Sequence, residues 1–454
     1  MKSARRYLIV DLMRDLAKGR IARGSIASLA FKVSAIVFVF IQAVIAARIL
    51  GPAGFGEVAI VLSLVQIGSI LALFGYHTHA VRKIAASLGS GSFGLIRPYI
   101  AKAVLYVSIL SAAVAVCFLF GPDTIFAPVF EKIDGIVLYA ALLVPVTALL
   151  QLLRGFDQGL SRVIAAQLPN DILRPGLAIL FLGVSIAFGV AFTPAVYLII
   201  LIVANLCALG WAAVSLRRYV SHGLRATAVD GTKSAFDTAP ALFFVLSIFA
   251  TLQTELGTLS LSLLSTNEQA GLFQPIARLM PILGIMSAAV QMPFFPRISE
   301  LWSLGDRNAI ESLSGKYTTV TSLLTAMVAL AIGIVAPLVL LAFGPAFAPV
   351  APLVWIIGGA KVSAALCGPV GHLLIVAGQT RVVLLGHALG IMTAAFTAFW
   401  LVPDGGAMGA VWAVSVHVVV LNLSLLLMAR GKLGFDPSII GAIKPLIQRQ
   451  KVMT

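Results

Sequence analysis

Long apolar runs dominate the chain, and short polar or basic stretches separate them. Twelve runs are long enough to cross a membrane: near 26–49, 54–74, 99–120, 135–153, 170–190, 193–215, 236–264, 272–295, 317–343, 348–376, 381–402 and 406–428. About 20 apolar residues span ~30 Å of hydrocarbon at ~1.5 Å per helical residue. The apolar positions run together instead of alternating, which argues against the strands of a transmembrane barrel. Lipid offers no partner to a free backbone N–H or C=O, so each run closes its hydrogen bonds internally as a helix. Proline interrupts the run at 272–295 (Pro275, Pro281, Pro293), and Pro352, Gly358, Gly359, Gly368 and Pro369 interrupt the run at 348–376. Proline removes a helix hydrogen bond, so kinks are expected there, suited to hinges. The pattern predicts an all-α polytopic membrane protein.

Composition sharpens this. Of 454 residues, 60% are apolar and 11% charged, against about 25% charged in soluble domains. A soluble enzyme of this length has nowhere to hide that much apolar surface. Three cysteines, Cys117, Cys207 and Cys367, are too few and too scattered for a disulfide framework and read as small core residues.

The net charge of +15 points first to nucleic acid, but its placement argues otherwise. With a cytoplasmic N-terminus and alternating spans, 27 of the 32 Lys and Arg fall in inner segments and two, Arg48 and Lys132, in outer ones. Such a bias is the positive-inside signature, with both termini cytoplasmic, and leaves no nucleic-acid surface. It also supports the span count, since one missed helix would invert the pattern downstream. Residues 1–25 read as a basic amphipathic segment on an anionic membrane face, or equally as a frayed basic tail.

The chain repeats itself. Ala53-Gly54-Phe55 is echoed by Ala270-Gly271-Leu272-Phe273, Phe120-Gly121-Pro122 by Phe343-Gly344-Pro345, and Arg162-Val163 by Arg381-Val382. Six spans per half is an even number, so the halves enter the membrane in the same sense, related by an axis along its normal. The expected organisation is an N-terminal six-helix lobe at 26–215, a cytoplasmic linker at 216–235, a C-terminal six-helix lobe at 236–428 and a basic cytoplasmic tail at 429–454.

Several segments carry a family resemblance, in family order from about residue 25 to 430. They are Arg-Ile-Leu-Gly-Pro-Ala-Gly-Phe-Gly from Arg48 to Gly56, Ala80 to Ile84, Leu153-Arg154-Gly155, Leu173-Arg174-Pro175, Ala270 to Phe273, Pro296 to Ser299, Phe343 to Pro345, and Pro403 to Gly409. The chain resembles the polysaccharide transporter, O-antigen flippase-like branch of the multidrug/oligosaccharidyl-lipid/polysaccharide exporter superfamily. The resemblance implies two six-helix lobes around a cationic, water-filled cavity in the bacterial inner membrane. It implies a substrate, an undecaprenyl-pyrophosphate-linked oligosaccharide, flipped between leaflets by alternating access. No enzymatic activity and no resident cofactor are implied. A coupling ion, H⁺ or Na⁺, and partners among membrane lipids, polysaccharide polymerases and glycosyltransferases are. The seventh span of the family usually carries an acidic residue near its middle; here it is Glu255, where Asp is more familiar.

A diphosphate and its sugars cannot cross hydrocarbon unaided, so a carrier supplies cations and hydroxyls along a sheltered path. Intramembrane charge is costly and usually faces an interior. Lys361 lies near the midplane of the tenth span, and Arg278 about two turns in from the outer end of the eighth. Lys32 and Arg174 are near the inner face, and Arg48 and Arg82 at the outer and inner mouths. Together they read as a ladder of substrate-binding cations, Arg offering forked and Lys point contacts to phosphate. Other readings stay open: Lys32, Arg48 and Arg174 snorkelling to the interface, Arg82 anchoring the inner face, and Arg278 pairing with Glu255. Glu255 is the candidate coupling site. His372, His387 and His417 read as packing residues or a proton relay, and His77 and His79 form at most a poor metal pair. Two alternatives remain. A cation-coupled multidrug exporter would want acidic spans, and a membrane polymerase or glycosyltransferase would want a larger outer loop than 121–134.

Overall fold

The computed structural model describes residues 20–120, 129, 131–133, 135–223 and 239–442, and among them there are helices and no strands. Most of the N-terminal basic segment, residues 224–238 of the expected linker and 443–454 of the tail lie outside the described residues.

The helices are α1 (Arg20–Leu73), α2 (Tyr76–Gly89), α3 (Ile96–Phe120), α4 (Val137–Gly159), α5 (Val163–Leu168), α6 (Arg174–Ala187) and α7 (Pro194–Gly223). They continue with α8 (Ala239–Leu264), α9 (Asn267–Ser303), α10 (Arg307–Phe343), α11 (Leu353–Cys367), α12 (Val370–Val376) and α13 (Thr380–Leu433). Among the described residues nine helical stretches are long and apolar enough to span a membrane. Two of them, α1 and α13, are bent double. Gly51 (φ 67°) and Gly406 (φ 50°) interrupt them with backbone angles that a side chain disfavours. Where short loops were expected between two pairs of spans, the chain therefore turns within one residue. Counting each arm of these two helices and the more polar α9, twelve segments cross, in two lobes of six.

Helix ends follow local chemistry. Thr266 accepts from the Gln269 N–H at the start of α9, and Asp306 accepts from the Ala309 N–H at the start of α10. Gly368 (φ 82°) separates α11 from α12, so the tenth span is broken at the Gly-Pro pair that the sequence marked. Large apolar side chains face outward, Leu338 at 71% and Phe396 at 68% exposure among them. A surface of this kind needs lipid around it.

The core has three parts, and their placement gives the shape. One cluster runs through both lobes, from Ala43–Val65 and Leu198–Ala204 to Phe273–Leu283 and Phe343–Ile357. A second, around Leu73, Ala80, Leu152 and Phe156, belongs to the first lobe. A third, around Phe294, Tyr317, Leu373 and Leu425, belongs to the second. The lobes share a core at one end and keep separate cores at the other. The shared end carries Gly51, Phe343 and Gly344. The divided end carries Arg82, Arg154, Arg174, Arg297 and Arg430.

The shared end is tightly made. Phe40 meets Phe343 edge-on with centroids 5.3 Å apart, and Phe55 meets Phe347 at 6.4 Å. Arg48 Nε donates to the Ala342 carbonyl at 2.6 Å, Asn267 Nδ2 to the Lys132 carbonyl at 2.9 Å, and Lys132 Nζ to the Ser262 carbonyl. At the centre the backbones themselves touch. A Cβ on Gly271 would stand 1.8 Å from the Pro52 carbonyl oxygen, and one on Gly56 1.7 Å from that of Asn267. Close backbone approach through small residues is how membrane helices pack without a hydrophobic drive between them. The repeated segments at 53–55 and 270–273 thus meet face to face, as a two-fold axis between the lobes requires.

Candidate functional site

At the divided end the first lobe holds a cavity of about 590 Å³, lined by Gln66, His77, Arg82, Gln151, Arg154, Gln158, Asn170, Asp171 and Arg174 among others. That volume is in the range of small-molecule sites. The second arm of α1, α2, α4 and the start of the fifth span supply the walls. A second cavity of about 430 Å³ shares Arg154 and Asp171. It continues between α1 and α9, past Lys32, Val33, Ile36, Pro281, Gly284 and Ile285. The lining is therefore polar and cationic where the first-lobe helices end, and apolar along the α1–α9 seam.

The backbone at the junction is unusual. Between α5 and α6, residues Pro169–Leu173 form a turn of π-helix, with the Arg174 N–H bonded to the Pro169 carbonyl. Pro169 lacks an N–H of its own, which favours such a local rearrangement. The extra residue per turn carries Asn170, Asp171 and Arg174 to the cavity. Turns of this kind recur at functional sites.

Charges in the site are unequal. Arg154 Nη1 lies 3.5 Å from Asp171 Oδ1. Lys32 and Arg174 also act on Asp171 through space. Arg278, on α9, is in electrostatic range of Arg174, Tyr197 and Glu255. Its Nε has no hydrogen-bond partner among the described residues. Tyr197 is buried and accepts a 2.9 Å bond from Gln42. Glu255 accepts from Ser63 Oγ, and Arg278 stops short of a direct ion pair with it. Three cations, Lys32, Arg154 and Arg174, thus converge on Asp171, and Arg278 lies between Arg174 and the second carboxylate, Glu255.

The structure gathers some of the sequence-predicted residues and separates others. Lys32, Arg82 and Arg174 line the two cavities, and Arg278 is in electrostatic range of Arg174. Arg82 also lies 5.4 Å over the Phe243 ring. Arg48 is at the shared end, donating to Ala342. Lys361, on α11, stands apart in the second lobe, in electrostatic range of buried His417, which lies near His387. His387 stacks on Phe249 at 6.2 Å and His372 on Phe295. His77 lines the first cavity, whereas His79 is turned to Tyr99, its Nδ1 2.8 Å from the hydroxyl. Sequence reasoning missed Arg154, Asp171, Gln66 and Gln151 as site residues. The available signal was a carboxylate three residues before Arg174 at the head of an apolar run.

Twelve helices in two lobes, a shared core at one end and a cationic cavity at the other define the class: a polytopic, two-lobed helical membrane protein. Residues 21–302 match the model of the polysaccharide biosynthesis protein family, and the chain belongs to that family. No curated protein matches the chain. Among solved structures it is similar to a multidrug resistance MATE family transporter of the MOP superfamily in its inward-facing conformation. That match has a TM-score of 0.66 and 14% identity, covering 88% of this chain and 94% of the other. It is also similar to the lipid II flippase MurJ in an inward closed conformation, with a TM-score of 0.60 and 10% identity over 88% of this chain and 87% of the other. A third is the eukaryotic MATE transporter AtDTX14, at TM-score 0.60 and 14% identity over 88% and 93%.

Proposed function

We propose that this protein carries a lipid-linked oligosaccharide across the bacterial cytoplasmic membrane by alternating access, as a step in making a cell-surface polysaccharide. The observation that carries the reading is the convergence of Lys32, Arg154 and Arg174 on Asp171 beside the cavity at the divided end of the lobes, with Arg278 next to Arg174. A diphosphate brings the complementary charge, and forked guanidinium contacts hold it. Gln66, Gln151, Gln158 and Asn170 offer the amide donors and acceptors that sugar hydroxyls need. The apolar seam between α1 and α9 suits a polyprenyl tail. The charge bias of 27 inner against two outer Lys and Arg, counted with a cytoplasmic N-terminus, supports a cytoplasmic position for the divided end. The lobes, taken as 26–215 and 236–428, then rock to expose the site on the other side. Glu255, near the centre of α8 and bonded to Ser63, is the candidate H⁺ or Na⁺ coupling site, and Lys361 meets the anionic headgroup in the second lobe during passage. A flippase among the structural neighbours supports this reading. A cationic drug would meet charge of the wrong sign here.

The test is complementation of a strain lacking its lipid-linked-oligosaccharide flippase, at matched protein level. Arg174→Gln with Arg278→Gln is expected to cut export at least tenfold, with complete lipid-linked units accumulating on the inner leaflet by mass spectrometry. Full export by the double variant, or by Lys361→Ala with Arg278→Ala, would remove the headgroup role.

A further inference from the structure

Asp171 is a carboxylate in a site built for an anion. It lines both cavities, with a side chain 13% exposed. Its Oδ1 is 3.5 Å from Arg154, and its Oδ2 is buried without a hydrogen-bond partner among the described residues. Lys32 faces it from α1, Arg154 from α4 and Arg174 from its own segment; Arg278 of α9 lies beyond Arg174, and Arg82 and His77 of α2 share its cavity.

A nearby pair shows what a fixed ion pair looks like in this protein. Arg162 and Asp157 are 2.8 Å apart, Asp157 is 1% exposed, and Arg162 is tied further to Ser215 and lies over the Tyr219 ring. The Arg154–Asp171 pair is longer and faces space, with Arg154 31% exposed. Its acid rides on a single π-helical turn, where a shift of one hydrogen bond re-aims the side chain.

We propose that Asp171 is an internal counter-anion: it holds Arg154 in the empty carrier, yields it to the diphosphate of the incoming substrate, and takes it back on release. This rests on the reading of the cavity as a diphosphate site. The device has two consequences. The emptied carrier returns with its cluster partly neutralised, which lowers the cost of closing the cavity around bare cations. The site also selects by charge: a monophosphate gains little over the carboxylate it displaces, whereas a diphosphate gains more.

The experiment is calorimetric titration of the full-length protein in lipid nanodiscs with inorganic pyrophosphate and, separately, orthophosphate. Wild type should prefer pyrophosphate. Asp171→Asn should bind both about tenfold more tightly, with the preference narrowed, and Asp171→Glu should stay near wild type. Asp171→Ser serves the same purpose if the Asn variant does not fold. In an Arg154→Gln background the gain from Asp171→Asn should largely vanish, because Arg154 is the cation that Asp171 pairs with directly, Lys32 and Arg174 acting on it only from farther off. A gain that persists there reports only the general field and overturns the proposal, as does unchanged or weaker binding by a folded Asp171→Asn. Weaker binding by Arg174→Gln alongside a null result at Asp171 would leave the diphosphate reading standing and remove this inference alone. Wild type that binds pyrophosphate no better than Lys32→Gln/Arg174→Gln removes both. The same titrations with farnesyl diphosphate separate a lipid-borne from a free diphosphate.

Discussion

At the scale of single residues, charge and its surroundings decide what each ionisable group does. Arg48 and Lys361 illustrate the point. From sequence both belong to one ladder of cations, yet Arg48 spends its guanidinium on a main-chain carbonyl at the shared end, and Lys361 sits beside histidines in the second lobe. Depth along a helix is readable from residue counting, but azimuth is not. Apolar residues surround these spans on every side, so no amphipathic stripe tells which way a cation points. Arg154 shows the converse. It was readable as one more positive charge on the inner side, and only the folded chain puts it across from Asp171. Beyond the spans, the Asp436 carboxylate follows simpler rules. Burial raises its pKa, but bonds from Ser438 and Arg430 outweigh this and hold it below the ordinary aspartate value. A depressed folded pKa adds stability above the unfolded value and loses it as pH falls through the folded one. The stabilising effect of Asp436 is therefore expected to be full at neutral pH and to fade below about pH 4. Asp436→Asn should lower the thermal midpoint more at pH 7 than at pH 3, by scanning fluorimetry on both proteins. Equal shifts at the two pH values would contradict it.

At the scale of elements, the run lengths alone were enough to place twelve crossings, and the breaks at Gly368-Pro369 were legible because glycine and proline have fixed backbone consequences. The doubled helices were not legible. A turn through one glycine at Gly51 or Gly406 leaves the same glycine- and proline-marked sequence as a short loop. The π-helical turn was also hidden, since Pro169 reads as a plain helix start. Small residues at the lobe contact were visible as a repeated Ala-Gly motif, but their purpose appears only where Gly56 and Gly271 bring two backbones together. Gly271→Ala places a methyl group against the Pro52 carbonyl, which neither backbone can yield without parting the lobes. The expected cost is about 3 kcal/mol, the upper part of the usual range for overpacking. The measurement is the fraction of monodisperse protein after heating in detergent. Gly210→Ala, on open space, serves as the control and should match wild type.

At the scale of the whole molecule, the alternating access proposed above requires the shared end to open. The shared core is apolar and continuous, so its parting exposes Phe55, Phe343 and Phe347 to water unless the substrate replaces some of those contacts. The seal is held at its rim by few polar bonds, of which Arg48 to Ala342 joins the lobes at the surface. A covalent link there separates a moving seal from a static one. In a background with Cys117, Cys207 and Cys367 replaced by Ala, Arg48→Cys with Ala342→Cys brings two thiols within reach of a short bis-thiosulfonate linker. Cross-linking is expected to reduce export to the level of the flippase-null strain, and reductant to restore it, while either single cysteine treated alike keeps full export. Loss of export that reductant reverses means the lobes part at this end in every cycle. Undiminished export by quantitatively linked protein would mean that the substrate passes with the seal intact, and the two-lobed rocking carrier would give way to a fixed groove along the α1–α9 seam.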